Sequence, residues 1–319
     1  MPVLQSGIAP PIFDVPVRRF QHYEAAVQAT EDYQAALCAD AARRRSIGLT
    51  VTDQDQPDEA LCLFPARPDL PPLVIIGGMG PLAGALAFLQ ACTRFQDSRD
   101  VVLFQACSVP DRSPVILGEV CSETHLGAPL SHEMASRLGG AVRVAIDFVA
   151  SPSQPVRCII ACNSAHYFWR LMADDLQQTR VQVQMISLVE SSVEELRAQR
   201  CRRALLLTTE GARVGEVFSA PCRDAGIVFD EPSPALSRLL MSAVYEGIKS
   251  LNECRAVELG NEFFETILRS GEDYDCVLAG CTELPHTIDL LKLRGSPAVA
   301  AFLSRVKIVD PVEEALRHA

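Results

Sequence analysis

The chain has no apolar run approaching the about 18 residues that a membrane-spanning helix requires. Its beginning has no basic stretch followed by an apolar one, so no secretory signal is expected and the expected location is the cytoplasm. It has no excess of basic charge. Lys and Arg number 29 against 40 Asp and Glu, for a net charge of −11. That balance argues against a nucleic-acid partner held through its phosphates, and no membrane partner is expected. A small anionic ligand remains compatible, because one or two local cations decide that. No Cys-x-x-Cys pair occurs, Cys158 and Cys162 lie four apart on an expected strand, and His166 is the one histidine near Cys162. A zinc site is therefore not expected. A Gly-x-Ser-x-Gly element, the mark of many serine hydrolases, is also missing.

What is present describes a core-forming protein. Of 319 residues, 48 % are apolar and 22 % charged, enough for one large domain or two small ones. Twelve cysteines in so long a chain do not form the dense framework of a small secreted domain. Several, such as Cys158 and Cys276, sit inside apolar runs, where a free thiol behaves as a small hydrophobe.

Residues 1–72 differ from the rest. They hold Pro-rich runs, APPIFDVP at 9–16 and FPARPDLPP at 64–72, around a possible helix over 20–46 with Tyr23, Val27, Tyr33 and Leu37 as an apolar stripe. The segment reads as an N-terminal extension of helix plus linker: a docking arm, a lid, a partly disordered stretch, or an accessory without chemistry. From residue 73, short apolar runs alternate with helical stretches. Strands are expected at 73–77, 101–106, 158–161, 183–187, 204–208, 227–229, 276–280 and 306–309. Continuous apolar strands separated by helices indicate an α/β fold with parallel sheets covered on both faces.

An internal echo favours two subdomains. RCIIACNSAH (157–166) and CVLAGCTELPH (276–286) share an apolar strand, a small residue, a cysteine, Asn or Thr, and an expected helix start. The expected division is 73–180 with 298–319 as the first subdomain and 181–297 as the second. Equivalent strand ends facing one another would put Cys162 and Cys281 on opposite sides of a cleft, at the carboxyl ends of parallel strands.

A cysteine where a strand hands over to a helix meets unpaired N–H groups and positive dipole potential, which favour a thiolate. Asn163 or Ser164, and Thr282, could cap those helices or hold an anion there. Two such thiols suit inversion at a carbon: one removes a proton from one face while the other delivers a proton to the opposite face. Structural cysteines and a redox disulfide are the alternatives. The turn GGMGPLAG (77–84) follows a strand and opens a helix. It reads as backbone presented to a carboxylate, as a purely structural turn, or as a dinucleotide loop. The last lacks the acidic residue expected after the second strand. Arg112, stiffened by Pro110 and Pro114, offers a planar fork matched to carboxylate, or is a solvated charge.

In order, IIGGMGPLAG (75–84), VPDR (109–112), IACNSAH (160–166) and AGCTELP (279–285) resemble the motifs of the aspartate/glutamate racemase family, on its aspartate-racemase branch. VYEGIK (244–249) resembles the helix that supplies a lysine there. The resemblance covers roughly residues 73–319. It implies a pyridoxal-independent amino-acid racemase with no cofactor, acting on aspartate, glutamate or a related amino acid in a cleft between two similar α/β subdomains. It implies Cys162 and Cys281 as the acid/base pair and Arg112 and Lys249 as charged residues at the substrate. It places Asn163, Ser164, Thr282 and Glu283 at the substrate, with Met79 and Gly80 lining the pocket. A homodimer and a small anionic amino-acid substrate are implied with it. The sequence departs from the family after ALLLT, where Gly211, Ala212, Gly215 and Phe218 stand in a segment usually rich in hydroxyls. Ser108 stands where a longer polar residue is common. These departures bear on the substrate side chain and leave the cysteines intact. An isomerase or decarboxylase of a small dicarboxylate, or a binding protein without catalysis, is the alternative function.

Overall fold

A computed structural model describes residues 15–49, 56–121, 127–149, 154–176 and 182–319. Most of the Pro-rich run at 9–16 lies outside them. The described chain is an α/β protein built on two sheets.

The first sheet carries β1 (Val17–Phe20), β2 (Glu59–Leu63), β3 (Leu73–Gly77), β4 (Val101–Gln105), β5 (Val156–Ile160) and β6 (Val183–Ile186), in the order β1-β2-β4-β3-β5-β6. All its pairings are parallel except β2 with β4. The second sheet is wholly parallel, ordered β10-β9-β7-β8 from β7 (Ala204–Thr208), β8 (Phe229–Asp230), β9 (Cys276–Gly280) and β10 (Lys307–Val309). Leu73–Ile76 on β3 and Val101–Leu103 on β4 are completely buried. This is the burial expected of apolar strands covered by helices on both faces.

Helices α1 (Tyr23–Ser46), α2 (Pro81–Phe95), α3 (Arg112–Val120), α4 (Gly127–Asp147) and α5 (Trp169–Leu176) belong with the first sheet. Next come α6 (Leu188–Ala198), α7 (Glu210–Val214), α8 (Ser219–Asp224), α9 (Pro234–Ser242) and α10 (Glu253–Arg269). The chain closes with α11 (Leu284–Arg294), α12 (Pro297–Arg305) and α13 (Pro311–His318). Side chains of Asp111, Ser187, Thr209, Ser233 and Asp310 accept amide hydrogen bonds at the starts of α3, α6, α7, α9 and α13. These caps satisfy donors that no helical carbonyl can reach. No helix of the described residues is long and apolar enough to cross a membrane.

Each of the eight expected strands is present, within two residues at either end. Two more, β1 and β2, lie where the sequence reads as linker. Their signal is weak for a physical reason: β1 (VRRF) lies at the sheet edge with its arginines outward, and β2 is five residues long beside Pro-rich chain. Between them, α1 covers residues 23–46 of the helix expected over 20–46, and Phe20 closes β1 instead. The expected division of chain also needs correction at two strands. β6 (183–186) pairs with β5 and belongs to the first sheet, and β10 (307–309) pairs with β9 and belongs to the second. Apolar content marks a strand as buried but not which neighbour it will pair with. After β10 the chain returns: Val312, Ala315 and Leu316 of α13 join the core that holds Leu61, Leu73 and Phe88.

Candidate functional site

The carboxyl ends of β3, β4 and β5 lie level with one another, Gly77 opposite Gln105 and Ile76 opposite Ile160. Those of β7 and β9 do likewise, Thr208 opposite Gly280. The loops leaving these ends meet in one cleft. The first half contributes Met79, Arg112, Cys162, Asn163 and Ser164. The second contributes Lys249, Cys281, Thr282 and Glu283. Nine of the ten site residues expected from the sequence thus line one space. The tenth, Gly80, lines an adjoining pocket that shares Lys249 and Glu283 with the cleft. The sequence reading missed Asp111, Ser113, Thr209 and Tyr245. Asp111 and Tyr245 lay inside quoted motifs, but nothing in the string shows that they meet.

Both thiols are buried, at 5 % and 4 % exposure, and their settings differ. Cys162 leads into a 3₁₀ turn over Ser164–Phe168 rather than directly into an α-helix. Its Sγ lies 3.5 Å from the Ser164 hydroxyl. Asn163 does not cap the turn; its side-chain oxygen and nitrogen are buried with no hydrogen-bond partner. Cys281 donates to Glu283 Oε2 at 2.9 Å, and the Thr282 hydroxyl donates to the same oxygen at 3.1 Å. Burial first, then the charge and hydrogen bond of Glu283, push the Cys281 thiol well above its ordinary value, with Lys249 opposing. The expected thiolate-favouring helix start is therefore overridden at Cys281, because a neighbouring carboxyl and a dry site act more strongly than helix amides. Thr282 likewise spends its hydroxyl on Glu283 rather than on a cap.

The Gly-rich turn offers the cleft a carbonyl. Gly78 has φ of +84° and packs against the backbone of Ala106 and Cys107, a conformation and an approach that a side chain would not tolerate. Gln105 Nε2 donates to Pro81 O at 2.7 Å, tying the end of β4 to the start of α2. The Met79 carbonyl then accepts from Arg112 Nη2 at 3.0 Å and from Lys249 Nζ at 3.2 Å. Arg112 Nη1 donates to Pro110 O at 2.8 Å, so the fork is held by its own loop.

Lys249 is delivered by a π-helical segment, Ala243–Ile248, in which the Lys249 amide donates five residues back to Val244 O at 2.9 Å. Such wide turns recur at functional sites because they shift side chains off the α-helical register. Here the segment also carries Tyr245, whose hydroxyl donates to Asp111 Oδ2 at 2.7 Å, with Lys249 Nζ 4.9 Å from the centre of its ring. Burial raises the Asp111 pKa. Lys249, Arg112, the Tyr245 hydroxyl and the Ser113 amide together outweigh it, so the group ends below the ordinary carboxylate value. Asp111 therefore stands as the counter-charge of both cations.

The segment after β7 explains the sequence departures. Gly211 packs on Ser113, Gly215 on the Tyr167 ring, and Phe218 lies buried next to Gly280. From this segment Thr209 is the residue that lines the cleft.

His166 holds the Cys162 loop. Leu188 N donates to its Nε2 at 3.1 Å, so Nδ1 carries the proton and donates to Cys162 O at 3.0 Å. Burial pulls its pKa down to about 4 from 6.5, although contacts with the backbone at Cys162 and Asn163 oppose the shift. The unfolded chain takes up this proton before the folded chain does. Stability is therefore full above about pH 6.5 and falls as pH drops toward about 4, by ~3 kcal/mol from this group. Urea unfolding of wild type and of His166→Gln at pH 7 and pH 4.5 checks this: the wild type should lose more stability on acidification than the variant.

Away from the cleft, at the opposite end of β9, Cys201, Asp275 and Cys276 bring ligand atoms within 4.8 Å of one another. Both Asp275 oxygens already accept from the amides of Arg202 and Arg203, so the group is poorly disposed to hold a metal.

The structure is similar to an aspartate racemase of Picrophilus torridus. The TM-score is 0.55 at 17 % identity, covering 78 % of this chain and 92 % of that one. It is also similar to a Yersinia pestis protein provisionally described as an Asp/Glu racemase, with TM-score 0.52 at 12 % identity, covering 78 % and 97 %. At these identities the likeness speaks for the fold. The family model for Asp/Glu/hydantoin racemases matches residues 127–319, more than half the chain, and that span includes Cys162, Lys249 and Cys281. By that match the chain belongs to the Asp/Glu/hydantoin racemase family.

Proposed function

We propose that this protein interconverts the enantiomers of an amino acid, aspartate, glutamate or a relative, without a cofactor, with Cys162 and Cys281 as the acid/base pair. The observation that carries the reading is that the two strand-end thiols, one from each sheet, line the same cleft as a pair of cations. The substrate carboxylate docks among Asn163, Ser164 and Thr282. The unpartnered amide of Asn163 gains there the hydrogen bonds it lacks. One cysteine, as thiolate, removes the α-proton. The other, as thiol, protonates the opposite face, and the pair is left in the reverse state, ready for the other enantiomer. The α-proton is very weakly acidic. The carbanion's charge spreads into the carboxylate, where Arg112, Lys249 and the polar side chains stabilise it electrostatically. Both cations already lean on the Met79 carbonyl, so little rearrangement is needed to bring them to an anion.

Proton NMR in D2O with L- and D-amino acids tests this, with chiral chromatography of the same samples. Loss of the α-proton signal together with racemisation is the expected result. A folded, reduced protein that exchanges no α-proton across the full set of amino acids overturns it. The homodimer implied by the resemblance is checked by sedimentation velocity.

A further inference from the structure

Beside the cleft lies a second pocket, lined by Gly80 and sharing Lys249 and Glu283 with it. Its other walls are apolar except for Gln56: Leu37, Pro81, Leu82, Ala83, Ile248 and Leu251. Leu37 comes from α1, in the N-terminal extension, outside the span matched by the family model. The extension is held firmly there. Leu37 and Tyr33 pack with Ala85 of α2, and Arg45 near the end of α1 donates to the carbonyls of Ser250 and, at 3.0 Å, Leu251. So α1 bridges the two halves at the rim of this pocket.

Two further observations bear on what enters. The charged residues lining the cleft are Arg112 and Lys249 against Asp111 and Glu283. A second carboxylate on the substrate would add an unbalanced negative charge beside a buried carboxyl, at a high electrostatic cost in a dry site. A zwitterion with an apolar side chain adds none. Glu283, at 3 % exposure, has Oε2 on the Cys281 thiol, while Oε1 is buried without a partner. That oxygen would lie only 2.1 Å from a Cβ added at Gly80, so the glycine leaves room for the carboxyl where the two spaces join.

We infer that the substrate is an amino acid with an apolar side chain. The side chain lodges in the pocket closed by Leu37, and the ammonium is accepted by Glu283 Oε1. The N-terminal extension is then a specificity element. This rests on the racemase reading above and replaces its acidic substrate with an apolar one.

The test uses the full chain and follows α-proton exchange in D2O for leucine, methionine, alanine, aspartate and glutamate, with wild type and Leu37→Trp. Leucine and methionine are expected to exceed aspartate and glutamate at least tenfold in kcat/KM, the scale on which an apolar pocket discriminates. Leu37→Trp, which fills the pocket, is expected to lower the leucine-to-alanine ratio at least tenfold. The wild-type comparison needs no variant to fold. Preference for aspartate or glutamate overturns the inference and leaves the racemase reading standing. Leucine exchange with an unchanged ratio in a folded Leu37→Trp overturns the assignment of the pocket. Absence of exchange with every amino acid removes the racemase reading itself, and the inference with it.

Discussion

Replacing Cys162 or Cys281 by serine will each lower racemisation about 10³-fold, within the span that positioned acid/base groups contribute. A serine hydroxyl is a far weaker acid than a thiol, so it can neither stand as the anionic base nor readily hand its proton to the opposite face. Each variant therefore loses the direction in which the replaced residue removes the proton, and inversion needs both. The remaining thiol still reaches one face. Each variant should accordingly exchange the α-proton of one enantiomer for deuterium without inverting it, and the two variants should choose opposite enantiomers. Both positions are buried, and serine nearly preserves their volume. At Cys281 the new hydroxyl can still donate to Glu283. Circular dichroism should thus report a folded protein in both cases. Full racemisation by either folded variant rules out the two-cysteine mechanism.

Glu283→Gln will change the pH profile as well as the rate. In the wild type, burial and the Glu283 charge hold the Cys281 thiol high, so the limb of kcat/KM that depends on its ionisation lies on the alkaline side. Glutamine keeps an acceptor for the thiol and removes the charge. The Cys281 pKa must then fall, which moves that limb to lower pH. The thiolate so formed is a weaker base toward a very weakly acidic carbon, and the plateau is expected to drop on the order of 10²-fold. A lower plateau with an unmoved limb would show that Glu283 serves binding alone and is not coupled to Cys281. The kcat/KM profile of the enantiomer that Cys281 deprotonates, identified from the serine variants, is the measurement to make.

The strands were legible because their signal is local. LVIIG, ALLLT and CVLAG are five-residue apolar runs, and each forms a strand with those bounds. β1 and β2 were not legible, since VRRF carries two outward arginines at the sheet edge and EALCL sits between unstructured signals. Sheet membership of β6 and β10 was misplaced because pairing is a choice among distant partners, which composition does not encode. At the site, the matched contexts of Cys162 and Cys281 were visible in the string. Asp111 and Tyr245, 134 positions apart, were not visible as a pair.

From the sequence alone follow the α/β class, the two strand-end cysteines, the cation-bearing motifs and the family likeness, because each rests on residue type and short spacing. Only the tertiary structure decided the rest. It set the Cys281 thiol against Glu283, made Asp111 the counter-charge of Arg112 and Lys249, and carried Leu37 from the extension to the edge of the cleft. These depend on burial and on distances between groups far apart in the chain. Electrostatic strength in a protein is set by those two quantities, not by order along the sequence.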